Sequence, residues 1–211
     1  MNTFQLGNLF SELNRSKALN IYAIKLENFL GGDKLEKPIV RLCSYDPNWE
    51  KQYEYERRRI LDVIGNYAVR IEHIGSTAIK GLEAKPIIDI MVGIHDLEIV
   101  PNLVRPLSVI EFEYVHKPEF KDRRFFRKGL WGQGTCHLHI CKINSKEWKE
   151  KILFRDYLRL HPQIAEEYAT LKKSLATTYK LDRQAYTKKK EPFIKAIIEK
   201  AKLENMINKH Y

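Results

Sequence analysis

The stretch Pro86 to Ile94, PIIDIMVGI, is the strongest constraint in this chain of 211 residues. A proline-bounded apolar run this short reads as a strand covered on both faces, and such a strand needs a sheet with helices packed around it. It also carries Asp89. An unpaired carboxylate in a dry interior costs several kcal/mol, so Asp89 requires a cation, a hydrogen-bond donor or a site at its border.

The pattern around it predicts a mixed α/β domain. Asp46-Pro47 followed by a charged run through Ile60, Leu61 and Ile64 to Gly65 predicts a helix. Tyr67 to Ile74 reads as a strand, Ser76 to Ala84 as a turn with a short helix, and His95 to Leu107 as a second helix. Strands are expected near Val109 to Val115, Arg123 to Lys128 and Thr135 to Ile143. The last third reads as helices, one after Ser145, one from Pro162 and one from Pro192, with Tyr186-Thr187 opening the last. Residues 1–36, with Leu6, Leu9, Phe10 and Leu13 at helical spacing, form an N-terminal helical extension in this reading. Residues 38–205 then make one domain, an α/β core (38–144) with a helical tail (145–205).

With 3 Cys in 211 residues a disulfide framework is not expected, and no stretch approaches the roughly 20 apolar residues of a membrane helix. A soluble cytoplasmic protein without a membrane partner is the expectation. The net charge of +10 is uneven: residues 1–115 balance at −2 and residues 116–211 at +12. The basic half suits a polyanion, whether nucleotide, phosphorylated metabolite or, without specificity, nucleic acid. No RNA-binding module motif accompanies the charge, which leaves an RNA-associated protein as the third reading.

Upstream of Asp89, Gly75-Ser76-Thr77 forms a turn between a strand and a short helix, where backbone N–H groups and hydroxyls meet an anion. Downstream, TCHLHIC at 135–141 alternates so that His137, His139 and Cys141 share one face. Imidazoles there serve as ligands of a softer metal or as acid–base groups. Around Phe125 and Phe126 four basic residues divide in a strand: Arg124 and Lys128 with Phe126, Arg123 and Arg127 with Phe125. Arg124 and Lys128 are the pair assigned to phosphate, with Lys85 beside the turn and Lys190 from the tail. Arg155 and Asp156 are expected to tie a helix to the sheet.

HIGSTAIKGLEAKPIIDI, HLHI at 137–140, FRDYLR at 154–159 and YTKKK at 186–190 resemble the GrpB family, within the nucleotidyltransferase-like superfamily. The resemblance covers roughly residues 38 to 200. It implies a nucleotidyltransferase-like mixed sheet with flanking helices and a C-terminal helical bundle. It also implies a Gly-Ser turn holding a triphosphate and strand acids holding a divalent cation, Mg2+ or Mn2+ ahead of Zn2+. Nucleotidyltransferases place a second acid two residues after the first, and here that residue is Met91, a poor ligand for magnesium. The expected metal and catalytic set is therefore Asp89, His137 and His139, with His73 nearby. Two functions stand on these residues: metal-dependent nucleotidyl or phosphoryl transfer, and a nucleotide-binding module without catalysis.

Overall fold

The computed structural model describes residues 39–130 and 133–207, and the helices expected over residues 1–36 lie outside the described residues. Helix α1 (Asn48–Ile64) begins where Asp46 Oδ1 accepts the Asn48 N–H at 2.9 Å. Strand β1 (Arg70–Ile74) leads through a 3-10 turn at Ser76–Ala78 to β2 (Ile88–Ile94). Helix α2 (Val100–Val109) and strands β3 (Glu113–Val115), β4 (Arg123–Leu130) and β5 (Gln133–Lys142) complete the core. The sheet runs β1-β2-β5-β4-β3, antiparallel throughout except for the central pair β2 and β5.

The two faces of β2 explain why its alternation is hidden in the sequence. Ile88, Ile90, Val92 and Ile94 point to one face, with Leu138 and Ile140 of β5 and Phe126 of β4. Trp49, Tyr53, Ile60 and Ile64 of α1 and Val100, Leu103 and Leu107 of α2 cover them. Each fully buried side chain of this size contributes about 1.5–3 kcal/mol, so this is the main core. The opposite face carries Asp89, Met91 and Gly93. Met91 packs with Ile74, Cys141 and Trp148 beneath helix α3 (Lys146–Leu160). Gly93 sets how close that helix comes, since a Cβ there would lie 2.6 Å from Ile143 Cδ1 and 2.9 Å from the Trp148 ring.

The tail is helical as expected. Ser145 caps α3 by accepting the Trp148 N–H, and α4 (Pro162–Thr178) begins on its proline. Two expectations fail. The apolar Val109-Ile110 does not start a strand: α2 runs to Val109, and Glu111, at φ 74°, turns the chain into the short β3. Nor do Tyr186 to Lys190 open the last helix. Tyr186 to Lys189 belong to a separate helix, α5 (Arg183–Lys189), and Lys190 stands at the break before α6 (Glu191–Ile207). Pro192 accounts for this, because it has no N–H to continue α5 and its ring crowds the preceding turn.

Among the described residues no helix is long and apolar enough to cross a membrane.

Candidate functional site

Ile74, the last residue of β1, pairs with Asp89 on β2, and Asp89 pairs with His137 on β5. This row brings the Gly-Ser turn, the acid and the first histidine together. Gly75 has φ 72° and ψ −173°, a conformation that side chains disfavour strongly, and a Cβ there would come 2.4 Å from Asp89 Oδ2. The turn therefore touches the carboxylate directly. His137 Nδ1–H donates to Asp89 Oδ1 at 3.1 Å, the only sense possible for an ionised acid. Both side chains keep about 30% of their surface exposed (29% and 30%), so the pair borders solvent.

Burial works against the Asp89 charge, but the His137 hydrogen bond and the positive charge around it, Lys85 included, outweigh it and hold the carboxyl at about 2. Three lysines answer it. Burial lowers Lys85, with Asp89 opposing that shift. Burial, then the neighbouring Lys85, brings Lys190 down to about 8, and partial burial also lowers Lys151 on α3. The Lys85 and Lys190 ammonium groups lie 5.4 and 4.5 Å from the centroid of the Tyr186 ring, a cation–π arrangement that holds both near the acid. On the far side of the turn Tyr168 is buried, close to the Ser76 side chain.

The expected three-ligand metal set is not assembled. His139 stands opposite Met91, one side-chain repeat along from Asp89, and Phe125 packs against both histidine rings at 5.2 Å. Among the described residues no three His, Cys, Asp or Glu side chains converge as ligands. Burial and the nearby Arg123 push His139 down to about 3, so its imidazole stays neutral. Its Nδ1 is buried without a hydrogen-bond partner. Met91 is 1% exposed, and the acid facing it on β1, Glu72, is held by Arg155 at 2.6 Å and Arg70 at 2.5 Å. The residues present do not fit a two-metal centre.

Four further expectations are corrected by the register and by hydrogen bonding. Arg124 and Lys128 share the face of Phe126, away from Asp89. Lys128 is spent on Glu56 of α1 at 2.7 Å, and Arg124 donates to the Lys121 carbonyl. Thr77 is buried, donating to the Ile87 carbonyl and accepting from His73 Nε2 at 3.0 Å, so its hydroxyl is not offered to a ligand. His73 faces the main core, stacked on Tyr53 at 4.6 Å. The arginines that do lie on the Asp89 face are Arg123, paired with Glu147, and Arg127, paired with Glu113. Arg155 ties α3 to the sheet, but through Glu72 and the His73 carbonyl on β1 and not through Asp156, its neighbour on the same helix.

Lys151, Tyr168 and Tyr186 are site residues that the sequence reading missed. For Lys151 a signal exists: Trp148, Lys151, Ile152 and Arg155 follow the three-to-four spacing of one helix face. Two clefts of about 730 Å³ each lie elsewhere, one behind the turn against α4 and one between α3 and α6. Asp89 and His137 line neither of them.

A family model described as GrpB protein matches residues 39–200. The chain is 34% identical over 168 residues to Glutamate-rich protein GrpB of Alkalihalophilus pseudofirmus, covering 78% of this chain and 97% of that one. It is also 34% identical over 166 residues to UPF0157 protein YqkA of Bacillus subtilis, covering 79% of this chain but only 48% of that relative. The crystal structure of conserved protein GrpB from Enterococcus faecalis superposes with a TM-score of 0.72 at 36% identity, covering 79% of this chain and 99% of that one. The mixed sheet, with its Gly-Ser turn leading to a strand acid and a parallel neighbouring strand, is shared with these relatives, and the chain belongs to the GrpB family.

Proposed function

We propose that the Asp89 face binds the phosphate groups of a nucleotide or another phosphorylated small molecule. The observation that carries this reading is the gathering of Lys85 and Lys190 around the Asp89 carboxylate, with Lys151 shared between Asp89 and Glu147. Burial, and for Lys190 also the neighbouring Lys85 and Lys151, takes part of the basicity from these ammonium groups, and a phosphate restores it. Charge-assisted hydrogen bonds of this kind contribute about 1.5–3 kcal/mol each. The Gly75-Ser76 backbone, in contact with Asp89, lies where such an anion would sit.

A transfer reaction at this site is supported by the Asp89–His137 hydrogen bond. With Nδ1–H donated to Asp89, the second ring nitrogen of His137 is the acceptor, suited to take a proton from an attacking hydroxyl. Two-metal nucleotidyl transfer is not part of the proposal, since Met91 removes a ligand. The alternative is a binding module that does no chemistry. An RNA-associated role is weaker, because Lys128, Arg123 and Arg155 already answer carboxylates of the fold. A cytoplasmic setting remains part of this proposal.

Calorimetric titration with ATP, with and without Mg2+ or Mn2+, tests the reading, followed by assay of labelled nucleotide for turnover. Binding is expected, weakened about tenfold by Lys190→Met. Turnover that disappears in His137→Ala while binding persists favours transfer, and binding alone favours the module. If millimolar ATP and inorganic phosphate both leave the melting temperature unchanged, the proposal fails.

The pH dependence has a definite sign. The Lys190 ammonium of the free protein loses its proton around pH 8, and a bound anion favours the charged form. Affinity is therefore level below pH 8 and falls as pH rises above it, by up to tenfold per pH unit. The comparison is wild type against Lys190→Met at pH 6.5 and 9.5, so that titration of the ligand cancels. A wild-type to variant ratio that does not shrink at the higher pH would count against Lys190 as a phosphate contact.

A further inference from the structure

We propose that Phe125, with Phe120 as its side wall, is the platform on which a planar ring of the ligand stacks, making the ligand a nucleotide rather than a sugar phosphate or inorganic phosphate. This rests on the phosphate reading of the Asp89 site and specifies the rest of the molecule.

Three observations carry it. The first is placement: Phe125 is opposite His139 on β4, on the same face as Asp89, with its ring 5.2 Å from that of His137. An anion at Asp89 lies two strand spacings away, roughly 10 Å across the sheet. A nucleoside spans that gap between its phosphate and its base. The second is shape. The Phe120 and Phe125 rings stand at 86° with centroids 6.2 Å apart, which forms a corner for a flat group, and the Arg123 guanidinium lies 3.7 Å over the Phe120 ring.

The third is the contrast between neighbours. Phe126, one residue on, is wholly buried on the opposite face, packed against Tyr114, whereas Phe125 is left half-buried beside charged groups. An aromatic surface exposed at the edge of an anion site gains by stacking a base, which offers a π-face whatever its identity. A sugar phosphate lacks such a face. No base-edge hydrogen-bond donor is invoked, so the platform selects a nucleobase over no base rather than one base over another.

The test compares ATP, UTP, inorganic tripolyphosphate and ribose 5-phosphate by calorimetry on wild type, Phe125→Leu and Phe125→Ala. In wild type, both nucleotides are expected to bind at least tenfold tighter than tripolyphosphate. Both variants lose most of that margin while tripolyphosphate affinity is unchanged, and Phe125→Leu keeps enough volume to protect the fold. A Phe125→Trp variant adds an optical readout: ATP quenches the indole emission and tripolyphosphate does not. Equal binding of ATP and tripolyphosphate to wild type overturns the inference and leaves the phosphate reading standing, as does a margin that survives in Phe125→Ala. If tripolyphosphate and nucleotides all fail to bind, the phosphate reading itself falls.

Discussion

Arg155→Met is expected to destabilise the domain by about 3–5 kcal/mol, the range for breaking a buried ion pair by removing one partner. The side chain is 8% exposed, and its guanidinium serves three acceptors from two elements. Nη1 reaches Glu72 Oε2 at 2.6 Å and the His73 carbonyl at 2.9 Å, while Nε reaches Asp156 Oδ1 at 2.7 Å. Methionine fills similar volume without a donor. Glu72 would then keep only Arg70, which is largely exposed and contributes little, and the His73 carbonyl would lose its side-chain donor. Urea unfolding measures the loss. The double variant Glu72→Gln/Arg155→Met should recover part of it, because the stranded charge is gone. A cost below about 1 kcal/mol for the single change would mean that water reaches Glu72 and that the pair is not a tie between α3 and β1.

The same arginine has a bearing on the site. Glu72 faces Met91 on the Asp89 side of the sheet, so a second acid stands one side-chain repeat from Asp89, but on the neighbouring strand. Arg155 and Arg70 neutralise it there. The net charge facing a ligand is therefore set by Asp89 against three lysines, and a freed Glu72 would weaken anion binding as well as the fold.

The features legible in the sequence were those fixed by local geometry. Period-two alternation assigned His137, His139 and Cys141 to one face, and β5 carries them that way beside Asp89. The Gly75-Ser76 turn and the strand acid were legible because glycine and proline punctuate the chain. The phosphate-facing pair on β4 was misassigned for a different reason. Alternation separates Arg124 and Lys128 from Arg123 and Arg127, but which pair meets Asp89 depends on the pairing of β4 with β5 and on Glu56, 72 residues from Lys128. Thr77 was misread because its hydroxyl is consumed by His73 and the Ile87 carbonyl, contacts that only the folded turn creates. Lys190 reaches the site region because α5 ends at Lys189, and Lys151 because Gly93 lets α3 settle onto the sheet.

Gly75→Ala is expected to combine a loss of stability with a loss of the site. At φ 72° and ψ −173° the backbone lies in a region almost reserved for glycine, and forcing alanine into it costs about 1–3 kcal/mol. The added Cβ would also sit 2.4 Å from Asp89 Oδ2 and 3.0 Å from Asp89 Cβ, so the carboxylate must leave its place. That movement breaks the hydrogen bond to His137. Asp89 ionises at about 2 in the folded protein, below its ordinary 3.8, so its contribution is fully present above pH 3.8 and is lost as pH falls through 2. The shift corresponds to about 2 kcal/mol, so the total expected near pH 7 is roughly 3–5 kcal/mol. For a domain of this size that lowers the melting temperature by roughly 6–20 °C. The difference between wild type and Gly75→Ala should narrow as pH falls from 3.8 through 2, below which the Asp89 contribution is gone. Gly75→Ala/Asp89→Gly, compared with Asp89→Gly, separates the two causes, since it removes the side chain that the new Cβ would meet and keeps the strain. If Gly75→Ala unfolds at the wild-type urea midpoint and still binds ATP, then the contact between turn and carboxylate does not organise this site.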